Sequence, residues 1–199
     1  MSIRAEEKKT IVDDLMTNDR HLATALKVLA ARDAIVNAVV ERFVAALTKR
    51  LVATAVSLGP DWELQACDAE GDYLQKEWSI GLKKSSWNDQ YYVLIQNARV
   101  GPRDFIFGVN NDDELPEGAD SGLIQQCLGA KIAVGKRTGW WAWYAPCESK
   151  LRHWDDEETL ARLCGDELNE SVEHIAETLH EVASVAESAI DEEVKRRRT

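Results

Sequence analysis

The sequence has little proline, no paired-cysteine motif and no long apolar run. Four prolines among 199 residues, without a Gly/Ser tract, leave no segment with the composition of a disordered linker. No apolar stretch approaches the length of a membrane span, and residues 1–20 are polar and amphipathic, unlike a signal peptide. The cysteines form no Cys-x-x-Cys pair, which argues against a zinc knuckle or a redox motif. They are Cys67, Cys127, Cys147 and Cys164. We therefore expect a cytoplasmic protein with reduced thiols and no membrane association.

Basic residues are nearly missing from the C-terminal part of the chain. The net charge is −11, and the segment from Asp155 to Glu193 holds 14 acidic residues and one base, Arg162. Such a segment repels a phosphate backbone. Nucleic acid is therefore not an expected partner.

Apolar periodicity predicts helices at both ends of the chain. Residues 5–30 have the pattern of one or two short amphipathic helices, with Asn18 or Asp19 as an internal cap. Residues 33–58 have the pattern of a long helix, capped by Asp33 and apolar on two sides.

The middle of the chain changes to the alternating period of strands. Runs rich in β-branched and aromatic residues, separated by Gly, Asn and Asp, predict an antiparallel meander of about five strands. Helical periodicity returns near residue 157, and the last helix, from about Asp166 to Arg197, has a coiled-coil-like seam. The order of elements predicts one α+β domain over 1–199: helical at 1–58, a β-meander at 61–148 and helical again at 155–197.

No catalytic or metal motif is complete. Five residues separate Gly129 from Gly135, where a phosphate-binding P-loop has four, and Arg137 takes the place of its metal-binding hydroxyl residue. Glu177 and His180 form one Glu-x-x-His pair, but a di-iron site needs two. The sequence therefore predicts no enzyme, with no catalytic residue, no bound metal and no cofactor.

Aromatic residues are the most unusual feature. The chain has seven tryptophans, and Trp140, Trp141 and Trp143 fall within four positions. Strand alternation predicts that Trp141 and Trp143 share one face, with Trp140 and Tyr144 on the other. Core packing is favoured because large aromatics are mostly buried. The alternative is an exposed pair that binds a protein or stacks on bases.

Three carboxylates are spaced along the last helix. Glu173, Glu177 and Glu181 recur every four residues. Such a row can imitate a track of phosphates and occupy the basic groove of a nucleic-acid-binding enzyme. The alternative is an ordinary solvated helix face, which is common.

The spacing of aromatic and glycine residues over 35–185 resembles that of a known group of proteins. The segments are Leu58-Gly-Pro-Asp-Trp-Glu63, a strand centred on Trp78, Tyr92-Val-Leu-Ile95, Ile106-Phe-Gly-Val109 and Trp140-Trp-Ala-Trp-Tyr144. Their order resembles the C-terminal accessory region of phage and bacterial proteins assigned to the PD-(D/E)XK nuclease superfamily. The resemblance implies a phage or mobile-element protein that binds without cutting.

The nuclease motif of that superfamily is not matched. An active site needs an Asp and a Glu-x-Lys on adjacent strands to hold Mg²⁺. Asp61 and the Glu148-Ser149-Lys150 segment are the only formal candidates, and Glu148 is expected past the end of its strand.

The leading functional hypothesis is a non-enzymatic protein that binds a macromolecule, with a protein as the expected partner. One alternative is an acidic inhibitor of a nucleic-acid-binding defence enzyme, and another is a metal-dependent nuclease. The seam from Val172 to Ile190 closes either on the N-terminal helices or on a second copy, which would make a homodimer.

Overall fold

The computed structural model describes residues 5–66, 77–112 and 122–198. These residues form six α-helices and a five-stranded sheet, which confirms the predicted α+β class. The helices are α1 (Ala5–Thr17), α2 (Asp19–Ala30), α3 (Arg32–Leu58), α4 (Leu123–Lys131), α5 (Glu157–Cys164) and α6 (Leu168–Arg197). The strands are β1 (Trp62–Ala66), β2 (Ser79–Lys84), β3 (Tyr91–Asn97), β4 (Phe105–Asn111) and β5 (Trp141–Pro146).

The sheet is the predicted antiparallel meander. Its spatial order is β1-β2-β3-β4-β5, so each strand pairs with its neighbour in sequence and β1 and β5 form the two edges. Two parts of the predicted meander region, 67–76 and 113–121, lie outside the described residues.

One face of the sheet forms the floor of the core. Ile80 pairs with Ile95, Leu82 with Val93, and Val93 in turn with Val109. Because alternate residues of a strand share a face, these side chains point the same way. All five are buried in one apolar cluster with residues of α3, α4, α5 and α6.

The seam of α6 lies inside this cluster. It packs against α3, α4 and strands β2, β3 and β4. Of the two predicted alternatives, the seam therefore closes within the chain, and it offers no exposed apolar surface to a second copy. Its buried members are Val172, Ile175, Leu179, Val182, Ala186 and Ile190.

The three N-terminal helices follow one another with little interruption. Asn18 caps α2 as predicted, its Oδ1 accepting from the amides of Arg20 and His21 at 3.1 and 3.2 Å. Asp33 does not cap α3, because only Ala31 separates the end of α2 from the start of α3 at Arg32. The amide of Ala31 still donates to Lys27 O at 3.0 Å, so the helical path continues through the junction.

A polar network joins the end of β2 to α6. Lys84 Nζ lies 2.8 Å from Glu187 Oε1 and 3.0 Å from Asp191 Oδ2. The indole of Trp87, itself fully buried, donates to Asp191 Oδ1 at 2.7 Å. Burial alone would lower the pKa of Lys84, but the hydrogen bonds to Glu187 and Asp191 outweigh it and raise the pKa. The stability from this raised pKa is complete below the ordinary lysine pKa and is lost as the pH rises through the higher folded value.

We predict that Asp191→Ala destabilises the fold by about 2 kcal/mol, because the buried Trp87 indole loses its acceptor. Urea unfolding followed by far-UV circular dichroism measures the change. Glu192→Ala removes the same charge from the next, exposed position of α6 and should change the free energy of unfolding by less than about 0.5 kcal/mol. Equal losses in both variants would show that the Asp191 contacts contribute nothing specific.

Candidate functional site

The aromatic strand β5 departs from simple alternation. Val109 of β4 pairs with Trp143, but the next residue, Asn110, pairs with Trp141, so the register shifts by one at Ala142. A residue inserted in this way reverses the faces of everything before it. The prediction that Trp141 and Trp143 share a face is therefore wrong. Trp141 instead lies beside Tyr144, with ring centroids 5.8 Å apart.

The two tryptophans consequently have different surroundings. Trp143 is fully buried in the apolar cluster, and its ring packs edge-on against Phe107. Trp141 is buried outside that cluster, on the opposite face of the sheet, next to the half-buried Tyr144. Trp140 precedes the strand and is 48% exposed. Of the predicted aromatic surface, Trp140 and Tyr144 remain accessible to a partner.

The position of Trp143 depends on a glycine. A Cβ added to Gly135 would collide with the indole nitrogen and two ring carbons of Trp143. We predict that Gly135→Ala destabilises the protein by about 1–3 kcal/mol through overpacking. Gly129, inside α4, has no neighbour within 4 Å of such an atom. Gly129→Ala should therefore stabilise by about 0.5–1 kcal/mol through helix propensity. Thermal unfolding of the two variants tests the opposite signs, and two shifts of the same sign would contradict this assignment.

The acidic face of α6 is partly neutralised by the chain itself. Glu173 accepts two hydrogen bonds of 2.6 Å from Arg50 of α3. The hydrogen bond from Arg50, aided by its charge, holds the pKa of Glu173 below its ordinary value. Glu177 and Glu181 are exposed. Of the predicted carboxylate row, Glu173 is thus committed to an internal ion pair, and Glu177 and Glu181 face solvent.

The formal nuclease residues do not come together. Asp61 directly precedes β1, and Glu148 follows the end of β5 at Pro146, so they lie at opposite edges of the sheet. Glu148 instead lies 3.6 Å from both Lys150 Nζ and His174 Nε2. Within 5–66, 77–112 and 122–198, no three His, Cys, Asp or Glu side chains form a group that could hold a metal ion.

The surface that the sequence did not reveal is an N-terminal arm, defined here as α1 and α2. None of the described side chains in either helix is buried. The arm nevertheless carries large apolar side chains, with Leu26, Leu29 and Met16 at 56%, 66% and 69% exposure. Ile11, Val12 and Val28 are also exposed.

Three leucines of α2, the half-buried Leu22 and the exposed Leu26 and Leu29, form one apolar face. Leu22, Leu26 and Leu29 are separated by four and three residues, which places them on one side of a helix. Because the helix continues through Ala31, the same spacing leads past Asp33 to the buried Val36. The arm therefore extends the stripe that α3 buries in the core, and along this extension Leu26 and Leu29 stay exposed.

Apolar periodicity in the sequence indicated this amphipathic face, but it did not indicate whether another part of the chain packs on the face. The pattern at residues 11–29 equally fits a helix that packs on the body of its own chain. The only local signal is that α3 already supplies two apolar rows, one of which is exposed at its two ends, Ile35 and Ala53.

Comparisons with protein-family models, with curated proteins and with solved structures found no match. The resemblance to the accessory region of nuclease-superfamily proteins therefore stays a prediction. None of the helices in the described ranges combines the length and the apolar character that a bilayer span requires.

Proposed function

We propose that this is a non-enzymatic protein that binds another protein, and that the N-terminal arm is its docking surface. The observation that carries the proposal is the exposure of large apolar side chains on two consecutive helices. Isolated helices shorter than about 12–15 residues are marginal in water, and most helical stability in proteins comes from packing an amphipathic face. The arm helices have 13 and 12 residues and bury none of their described side chains. A docked partner would supply the missing packing.

The composition of the arm favours a protein over other partners. Residues 5–30 carry five acidic and four basic side chains, a balance that gives no attraction to a phosphate backbone. The same residues include no aromatic side chain, whereas helices that lie in a membrane interface are rich in Lys, Arg and large apolar anchors such as Trp and Phe. A protein groove lined by apolar side chains matches both properties.

The mode of binding that fits the arm is a helix laid in a groove. Leu22, Leu26 and Leu29 stand at i, i+4 and i+7, the spacing of anchor residues in such complexes. The accessible aromatics Trp140 and Tyr144 offer a second contact area on the same protein. A phage or mobile-element setting in the host cytoplasm is part of the proposal, supported by the sequence resemblance alone.

An acidic inhibitor is the second candidate, favoured by the exposure of Glu177 and Glu181 on α6. The ion pair between Glu173 and Arg50 removes one of its three proposed charges. The two candidates differ in salt dependence, because binding through exposed carboxylates weakens with ionic strength and apolar docking does not.

We predict that Leu26→Glu abolishes partner binding and that Thr24→Glu preserves it. Both positions are exposed in α2 and both changes add one negative charge. Position 24 lies about 160° around the helix from position 26, so only the first variant places a charge on the apolar face. The fold should be unaffected, because neither side chain touches the core. The measurement is quantitative mass spectrometry of proteins captured by the tagged wild type and each variant, washed at about 0.5 M salt to screen electrostatic contacts.

Light scattering on the same samples reports self-association. Proteins captured by the wild type and Thr24→Glu but lost with Leu26→Glu would support arm docking, and so would an oligomer that only Leu26→Glu dissociates. Identical captured sets and a monomer for all three proteins would overturn it. In a parallel capture washed at about 0.1 M salt, proteins that are lost only with Glu177→Gln/Glu181→Gln, and that about 0.5 M salt releases from the wild type, would assign the function to the acidic face.

A further inference from the structure

A cavity of about 510 Å³ opens between α6 and the end of β5. Its size falls within the range of ligand pockets in proteins. The inner wall is apolar, formed by Ile95, Phe107, Leu151, Ile175 and Leu179. Four of these residues are buried, whereas Phe107 remains half-buried and so presents part of its ring to the cavity.

Polar groups occupy one side of the opening. His174, Thr178 and Glu181 follow at four and three residues along α6, which spreads them over about 10 Å. Glu148 reaches the same opening from the segment after β5, with its Oε1 3.6 Å from His174 Nε2. The cavity therefore joins elements distant in sequence around an apolar interior and a polar rim.

The charge of the lining has one sign. Glu148 and Glu181 are both exposed carboxylates, and none of the described residues that line the cavity is a lysine or an arginine. Lys150 approaches Glu148 Oε2 to 3.6 Å but does not line the cavity. Both carboxylates would repel an anionic ligand, whereas a cation would find two acceptors at the rim.

We propose that this cavity binds a free organic amine with an apolar body. The body occupies the wall formed by Phe107, Leu151 and Ile175, and the ammonium group lies at the rim, where the charges of Glu148 and Glu181 both attract it. The partly exposed Phe107 ring, held edge-on by Trp143 at 5.7 Å, contributes apolar contact. The inference is independent of the arm, because no residue of α1 or α2 lines the cavity.

Calorimetric titration of the full chain with 4-phenylbutylamine tests the proposal. Three ligands serve as controls: 4-phenylbutanol keeps the apolar body without the charge, 4-phenylbutyrate reverses the charge, and butylamine keeps the charge on a small body. We expect the arylalkylamine to bind at least roughly tenfold more tightly than each control, since a charge-assisted hydrogen bond and the apolar contact are lost separately.

Two variants test whether the amine binds in this cavity. Glu148→Gln/Glu181→Gln should weaken binding of the amine by roughly tenfold or more, because both carboxylates that attract the ammonium group lose their charge. Glu170→Gln removes a charge from an exposed position of α6 outside the cavity and should leave the affinity unchanged. Equal affinities for amine and carboxylate, no amine binding, or equal weakening by Glu170→Gln and the double variant would each overturn the proposal. A Phe-Lys peptide is titrated as well. Binding of this peptide without binding of the free amine would also overturn the assignment to a free small molecule.

Discussion

Burial of one stripe of α6 between α3 and the inner face of the sheet is the constraint on which the rest of the structure depends. Leu179, Val182, Ala186 and Ile190 are completely buried there. The sheet has apolar side chains on this face that only a helix layer can cover, and α3 alone reaches mainly β1 and β2. Without α6, the strands β3 and β4 would expose Val93, Ile95 and Val109. The long C-terminal helix thus completes the core instead of forming a separate coiled coil.

Two basic side chains from other elements orient α6 within that core, and both pair with acidic residues of the helix. Arg50 attaches Glu173 to α3 near one end of the helix, and Lys84 attaches Glu187 and Asp191 to β2 near the other. Because these contacts bind opposite ends of the helix to different layers, they fix its rotation as well as its position. Glu173, one of the three carboxylates of the predicted track, therefore serves to hold the helix in place, which weakens the argument for phosphate mimicry.

Local periodicity was enough to predict the helices and the strand order, because each element repeats its apolar residues at its own period. Periodicity failed where a single inserted residue or a tertiary contact determines which way a side chain points or whether it is buried. The extra residue at Ala142 reverses the face of Trp141, and no local pattern marks it. The cavity joins Phe107, Glu148 and His174 through folding alone. The arm is the clearest case: the sequence predicts that Leu22 and Leu26 share a face, but whether the chain covers that face depends on where α2 points.

The boundary between covered and uncovered apolar surface is marked by polar residues. Arg32 and Asp33 interrupt the stripe between Leu29 and Val36, and Arg32 donates to Asp155 O at 3.3 Å, which ties the base of the arm to the body. A polar residue in an apolar seam lowers stability but fixes register. At this position, the two polar residues are exposed and mark where the buried part of the stripe begins. The apolar face of α2 is thereby held outside the body in a continuous helix, which is the geometry that a docking helix requires.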